Sequence, residues 1–188
     1  MKIYTIVGGV NGVGKSSFTG VLKSRTTDLG VIVDVDKITA QAGGSAIEGG
    51  KAAIRLMDSC IAHGVSFTQE TTLSGHRVKN TAQRVKEAGY YVRLYYVALD
   101  TVEESKRRIA NRVARGGHNI DTEDVERRFS ARWEAVQKVL PYCDEAAFYD
   151  NDNGFVEVAA YRNGELILEG DYRPRWITEL SNYLKSGM

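Results

Sequence analysis

Short apolar runs alternate with longer stretches of helical periodicity along most of this sequence. Ile3–Val7 is an apolar, β-branched run that ends at glycines, which predicts a buried strand. Apolar residues at Phe18, Val21 and Leu22 then follow the three- and four-residue spacing of a helix that packs on a sheet. Further strands are predicted at 31–33, 65–67, 91–99 and 146–149, with helical stripes between them, the last of which runs through 125–140. This alternation predicts right-handed βαβ units and a parallel sheet, hence an α/β fold.

The last forty or so residues follow a different pattern. Two strand-like segments, 155–161 and 165–169, flank Asn163-Gly164, a dipeptide typical of a tight hairpin turn. A final helix is expected around 177–184, after Pro174. We interpret the region at about 155–186 as an antiparallel addition to the sheet edge within a single domain of residues 1–188.

Composition narrows the class of protein further. The 188 residues are 43% hydrophobic and 26% charged, and 25 basic against 24 acidic side chains leave a net charge of +1. This balance favours neither a nucleic-acid nor a membrane partner. Cys60 and Cys143 show no spacing typical of a disulfide framework or a zinc site. Because the first residues turn to glycine too early for a signal peptide, we expect a soluble, cytoplasmic protein.

The segment Gly9–Ser16 fits the phosphate-binding P-loop pattern GxxxxGK[ST] at every fixed position and lies between a predicted strand and a predicted helix. Glycines let the backbone N–H groups approach phosphate oxygens closely, Lys15 reaches the β- and γ-phosphates, and the Ser16 hydroxyl is the candidate ligand of Mg²⁺. The sequence lacks the Asn-Lys-x-Asp pattern that reads guanine, so ATP with Mg²⁺ is the expected pair. The candidate nucleotide-binding residues are Gly9, Asn11, Gly12, Val13, Gly14, Lys15, Ser16 and Ser17.

Carboxylates follow two of the predicted strands. Asp34 and Asp36 come after the second strand and Glu70 after the third, at the sheet edge where the P-loop also lies. Transfer of a phosphoryl group to a hydroxyl needs a base that accepts the hydroxyl proton, and Asp36 or Glu70 could be that base. The alternative is that the two aspartates only cap a helix or lie in a loop.

Arginines recur on one helix face beside a glycine pair. Arg108, Arg112 and Arg115 precede Gly116-Gly117, and the next helix carries Arg127, Arg128 and Arg132. We interpret about 108–128 as a lid that closes over phosphates, with Arg112 and Arg115, like Lys15, as catalytic residues. The alternative is a solvated surface on which these arginines pair with nearby glutamates.

Together these segments resemble the zeta-toxin family of small P-loop kinases. The matching pieces are the P-loop, 34–38, 67–75, 112–118, 127–129 and 149–151. The resemblance implies a three-layer P-loop NTPase fold with a five-stranded parallel sheet of the nucleotide-kinase type, to which the C-terminal hairpin is added. It also implies that Asp36 is the catalytic base, that Asp36, Glu70 and Thr72 contact the substrate, and that lid arginines bind the phosphates.

The expected activity is therefore ATP-dependent transfer of the γ-phosphate to a hydroxyl of a small metabolite, with a UDP-N-acetylsugar as the candidate suggested by the family. Two alternatives stay open: a kinase for a nucleotide or another small metabolite, and a nucleotide-dependent switch without a phosphate acceptor. An antitoxin partner is compatible with the family but is not indicated by any residue of the sequence.

Overall fold

The computed structural model describes residues 1–41, 43, 45–117 and 119–187, without the side chains of Asp36, Ala40 and Ala46. Within these residues the strands are β1 (Ile3–Gly8), β2 (Val31–Val33), β3 (Phe67–Thr71), β4 (Tyr91–Ala98), β5 (Glu145–Asp150), β6 (Val156–Arg162) and β7 (Glu165–Leu168). The helices are α1 (Lys15–Arg25), α2 (Val35–Gln41), α3 (Ala46–His63), α4 (Arg77–Glu87), α5 (Val102–Ala114), α6 (Thr122–Ser130), α7 (Arg132–Val139) and α8 (Arg175–Ser186). A single 3₁₀ turn spans Leu140–Tyr142.

The strands of this described part form one mixed sheet in the order β2-β3-β1-β4-β5-β6-β7. The pairs from β2 through β5 are parallel, whereas β6 and β7 are antiparallel to their neighbours. The expectation of five strands is therefore corrected to seven, because the C-terminal strands continue the same sheet through hydrogen bonds between β5 and β6. Asn163 and Gly164 both have positive φ, 54° and 87°, as a tight turn between β6 and β7 requires.

The strand β1, the middle one of the five parallel strands, explains why helices cover both faces of the sheet. All six of its residues are buried, and its apolar side chains alternate between two clusters. Tyr4 and Ile6 belong to the larger cluster, which includes apolar residues of α3, α4, α7 and α8. Val7 belongs to the smaller cluster with Phe18 of α1 and Phe129 of α6. The loop that follows β1 consequently emerges at the middle of the sheet edge.

Three elements differ from the sequence prediction. The third strand is not 65–67 but Phe67–Thr71, because its polar residues pair with β1, with Val7 opposite Glu70. The sequence did not predict α2, which begins at Val35, so that Asp34 directly precedes this helix and Asp36 lies within it. The predicted helix through 125–140 is divided into α6 and α7 at Ala131, where the backbone has φ −89° and ψ 6°.

One buried arginine ties the sheet to the segment between α1 and β2. Arg93 of β4 has an 8% exposed side chain and forms two hydrogen bonds to the Asp28 carboxylate, of 2.6 and 2.9 Å. Its Nε donates to Thr5 Oγ1 of β1 at 2.8 Å. The hydrogen bonds from Arg93 lower the pKa of Asp28 from 3.8 to about 2.

This pair predicts an acid-sensitive part of the stability. A carboxyl whose pKa is lower in the folded protein stabilises it above the unfolded pKa, and the contribution is lost as the pH falls. We expect the free energy of unfolding in urea to decrease between pH 3.8 and about 2 in the wild type, and to decrease less in Asp28→Asn. Asp58→Asn, which disrupts an exposed ion pair with Arg84, is the control and should keep the wild-type pH dependence. Parallel pH curves for the wild type and Asp28→Asn would contradict this assignment.

Candidate functional site

The loop between β1 and α1 wraps tightly against two neighbouring elements. Gly12 and Gly14 have φ of 82° and 93°, a left-handed conformation that side chains rarely adopt. A Cβ on Gly12 would lie 2.6 Å from the backbone oxygen of Ser105, and one on Gly14 would lie 2.7 Å from Asn151 Nδ2. Space and backbone conformation therefore both require glycine at these two positions.

Two side chains at the start of α1 point their polar atoms into the loop region. Lys15 Nζ donates to the carbonyl oxygens of Gly9 and Val10 at 2.8 and 3.0 Å. Ser16 Oγ donates to Glu70 Oε2 at 2.7 Å, which joins the P-loop to the end of β3. No acidic residue lies in the first turn of α1, so the positive end of the helix dipole and Lys15 reinforce each other there.

A cavity of about 440 Å³ lies over this loop. It collects predicted site residues from the P-loop, from β3 and its following loop, and from α5. These residues are Asn11, Gly12, Gly14, Lys15, Ser16, Ser17, Glu70, Thr72 and Arg112. Among the described residues, the predicted site residues Gly9, Val13 and Arg115 do not line it, and Val13 is fully buried behind the loop. Arg115 lines an adjoining groove of about 370 Å³ that shares Arg108 and Arg112 with the cavity.

The structure places the side chain of Asp34, the first aspartate after β2, but does not describe that of Asp36. Asp34 lines the cavity, and its Oδ1 accepts the backbone N–H of Lys37 at 3.2 Å, as a residue capping the start of α2 does. Asp36 is in α2, and its side chain, which carries the predicted catalytic role, lies outside the described part of the structure. Its neighbour Val35 also lines the cavity, so the backbone of Asp36 is close to the site.

The arginines that the sequence grouped into one stripe have different environments. Arg108, Arg112 and Arg128 line the cavity. Arg128 Nη1 donates to Asn11 Oδ1 at 2.9 Å, and its buried Nε has no hydrogen-bond partner among the described residues. Arg127 is an exposed residue that pairs with Asp124. Arg132 is buried and bonds to Glu179 of α8 at 2.6 Å, so it serves packing and not the cavity.

Arg108 is held by a nearby carboxylate before any anion arrives. Its Nε donates to Glu104 Oε1 at 2.6 Å, and its Nη2 donates to the Asn151 carbonyl oxygen at 2.7 Å. Hydrogen bonds from Arg107 and Arg108 lower the pKa of Glu104 to about 2, so this carboxylate is ionised at neutral pH.

The donor set at Ser16 fits a magnesium ion better than a softer metal. Within the described residues, no group of three or more His, Cys, Asp or Glu side chains is close enough to form a metal site of its own. Mg²⁺ characteristically takes one or two carboxylates together with phosphate oxygens and water. The Ser16 hydroxyl and the Glu70 carboxylate, 2.7 Å apart beside Lys15, supply such a pair of oxygen ligands.

Sequence reasoning missed two residues that contact the P-loop. Ser105 of α5 donates from Oγ to the Asn11 carbonyl oxygen at 2.7 Å, and Asn151 donates from Nδ2 to the Val13 carbonyl oxygen at 2.8 Å. Asn151 follows β5 directly, so its position at the carboxyl edge of a strand was a usable signal. Ser105 is a single buried serine on an amphipathic helix, and nothing in the sequence distinguished it.

The family model described as Zeta toxin matches residues 46–157 of this chain. A relative from Haemophilus influenzae, described as an uncharacterized protein, is 35% identical over 127 residues. The alignment covers 64% of this chain and 88% of that relative.

Solved structures share the fold over nearly the whole chain. A chain from the PezAT chromosomal toxin-antitoxin system of Streptococcus pneumoniae has a TM-score of 0.67 and 19% identity, and covers 99% of this chain and 85% of its own length. A chain of the AvrRxo1-ORF1:-ORF2 complex solved with ATP also has a TM-score of 0.67, with 15% identity and coverage of 99% and 76%. At these identities the likeness establishes the fold. None of the helices in the described ranges is long and apolar enough to cross a membrane.

Proposed function

The chain belongs to the zeta-toxin family, as its sequence resemblance predicted, and from this premise we propose that it is an ATP-dependent phosphotransferase. It would transfer the γ-phosphate to a hydroxyl of a small metabolite. The observation that carries this proposal is one cavity that combines a P-loop lysine, a carboxylate bound to the P-loop serine, and arginines from two helices. The ATP in the complex of similar fold adds support for ATP as the nucleotide.

The phosphates of ATP would lie over the P-loop. The N–H groups of the loop and the N-terminus of α1 face an anion there, and Lys15 would exchange its bonds to Gly9 and Val10 for phosphate oxygens. Arg112 and Arg128, which also line the cavity, would stabilise the charge that develops on the transferring group. We propose that the segment at about 108–128, which carries Arg112 and Arg128, acts as a lid. Arg115 would reach the phosphates when this lid closes.

The residues that would hold Mg²⁺ are Ser16, through its hydroxyl oxygen, and Glu70. When bound, the ion would neutralise negative charge on the β- and γ-phosphates. The Ser16 hydroxyl already donates to Glu70 at 2.7 Å, so its oxygen lone pairs are directed away from that carboxylate. This arrangement favours Glu70 as a residue that orients Ser16.

The acceptor would enter beside Glu70 and Thr72, with Asp36 taking the proton from its hydroxyl. Because Glu70 is engaged by Ser16, Asp36 is the better candidate for the base. The family membership makes a UDP-N-acetylsugar the first acceptor to test. The similar fold of a toxin-antitoxin chain makes an antitoxin a candidate protein partner.

The deciding experiment measures ATP turnover by the purified protein with Mg²⁺, alone and with each member of a panel of hydroxyl compounds. The panel contains UDP-N-acetylsugars, nucleosides, nucleotides and simple sugars. Stimulation by one compound, with a phosphorylated product seen by mass spectrometry, would support the phosphotransferase. A slow rate that no compound changes would contradict it and favour a nucleotide-dependent switch.

Replacing Lys15 with Ala should weaken ATP binding by about 10- to 100-fold, since a hydrogen bond to a charged group contributes roughly 1.5–3 kcal/mol. The lysine is only half buried, so the fold should be retained. Calorimetry measures the ATP affinity, and the exposed Lys138→Ala of α7 is the matched control. Unchanged ATP affinity in Lys15→Ala would rule out this loop as the phosphate site.

A further inference from the structure

We propose that Ser105 and Asn151 are positioning residues that hold the P-loop in its anion-binding conformation. The inference rests on the proposed function, because it concerns how the phosphates of ATP are bound. Neither side chain has a role in transferring the phosphoryl group. Each acts on one peptide group of the loop from the side opposite to the anion.

The geometry of the peptide bond links these contacts to the anion site. A trans peptide group is planar, and its C=O and N–H point in opposite directions. The Asn11 carbonyl belongs to the same peptide group as the Gly12 N–H, and the Val13 carbonyl to the same group as the Gly14 N–H. When Ser105 Oγ and Asn151 Nδ2 bind those carbonyl oxygens at 2.7 and 2.8 Å, they fix the direction of both N–H groups.

These two peptide groups can turn because each is followed by a glycine. Each precedes a glycine in the left-handed region, and a glycine populates positive and negative φ with similar ease. Without an external restraint the loop could rotate either peptide group and direct a carbonyl oxygen at the phosphates. Such a carbonyl would repel an anion, whereas a fixed N–H attracts it.

Both donors are themselves rigidly placed. Ser105 is fully buried in α5, where its backbone also packs closely on Gly12. The backbone N–H of Asn151 donates to the Ala98 carbonyl at 3.1 Å, and its carbonyl accepts from Arg108 Nη2 at 2.7 Å. The preceding Asp150 accepts the indole N–H of Trp176 at 2.8 Å, which ties this segment to α8. Because such donors already order the loop in the free protein, less conformational entropy is lost when the ligand binds.

The test compares the binding of inorganic tripolyphosphate and of ATP to the full chain by calorimetry. Ser105→Ala and Asn151→Asp each remove one donor with little change of shape. We expect each to weaken both ligands by about tenfold, which corresponds to the loss of about one hydrogen bond. Asn153→Ala, two residues beyond Asn151 in an exposed loop, is the control and should bind like the wild type.

A pH series separates positioning from a general structural effect. In Asn151→Asp the new carboxyl only accepts hydrogen bonds and repels the anion when ionised, and it is neutral and regains a donor when protonated. The affinity of this variant relative to the wild type should therefore recover as the pH is lowered, while that of Ser105→Ala relative to the wild type should not. The neutral Asn151→Leu, which has no donor, is the comparison at low pH, where the protonated Asn151→Asp should bind the anion more tightly than Asn151→Leu. Thermal denaturation, followed in parallel, should show that the three variants are folded.

The outcomes distinguish the two proposals. If the wild type binds neither ATP nor tripolyphosphate, the proposed function fails and this inference fails with it. If the wild type binds both and Ser105→Ala and Asn151→Asp bind as tightly, only the positioning role is overturned. A loss in Asn151→Asp that is independent of pH would likewise contradict the role of its donor.

Discussion

Replacing Asp36 with Asn should lower the turnover of the stimulated phosphotransferase by about 10²–10⁴-fold, the usual effect of removing a general base. ATP affinity should stay at the wild-type level, because the amide keeps the shape of the side chain and only loses the ability to accept a proton. Steady-state kinetics with the stimulating acceptor measure the turnover, and calorimetry measures the ATP affinity.

Glu70→Gln is the matched comparison for this prediction. Glu70 accepts a hydrogen bond from the Ser16 hydroxyl, so its amide variant should weaken the binding of ATP with Mg²⁺ more than it changes the proton transfer assigned to Asp36. If instead Asp36→Asn keeps its turnover and Glu70→Gln loses it at saturating ATP, the base is Glu70. The two variants together therefore assign the proton acceptor.

The apolar pattern predicted those elements that carry several apolar residues at regular positions. α1 and α4 are examples of helical spacing, and β4 is an example of a mostly apolar run that is buried on both faces of the sheet. β3 was misjudged because its last four residues are polar, so no apolar run marks the strand. Pairing with β1 and β2 overrides that weak preference, and the Tyr4 hydroxyl satisfies buried Gln69 at 2.5 Å.

The break between α6 and α7 shows a second limit of the sequence. No glycine or proline marks Ala131, so the apolar stripe predicts one continuous helix. At the break, the Arg132 guanidinium lies over the rings of its sequence neighbours Phe129 and Trp133, at 3.9 and 4.4 Å from their centroids, and bonds to Glu179 of α8 at 2.6 Å. Arg132, which the sequence grouped with the lid arginines, is therefore a buried residue.

Within the site, the local motif was predictable and its surroundings were not. The P-loop was recognised because its residues are contiguous and each fixed type has a physical reason. Ser105 and Asn151 contact it from positions 94 and 138 residues away from their partners. Such contacts depend on the order of strands in the sheet, which brings α5 and the end of β5 to the loop.

Three arginines, at positions 112, 115 and 84, have different environments and can therefore test the lid. Arg112 lines the P-loop cavity, Arg115 lines the adjoining groove, and Arg84 pairs with Asp58 on an exposed surface. A solvated surface would make the three equivalent. A lid that closes over phosphates would make their contributions differ in that order.

Arg112→Ala should lower kcat by about 10³-fold while the KM for ATP rises much less, because a positioned guanidinium acts chiefly on the charge of the transferring phosphoryl group. Arg115→Ala should show a smaller loss of kcat, since Arg115 reaches the phosphates only if the segment closes, and Arg84→Ala should match the wild type. Hydrogen exchange along α5 offers an independent measurement, in which ATP should protect the amides if this helix moves over the phosphates. Equal and negligible effects of the three substitutions, with no protection by ATP, would mean that the arginines form a solvated surface.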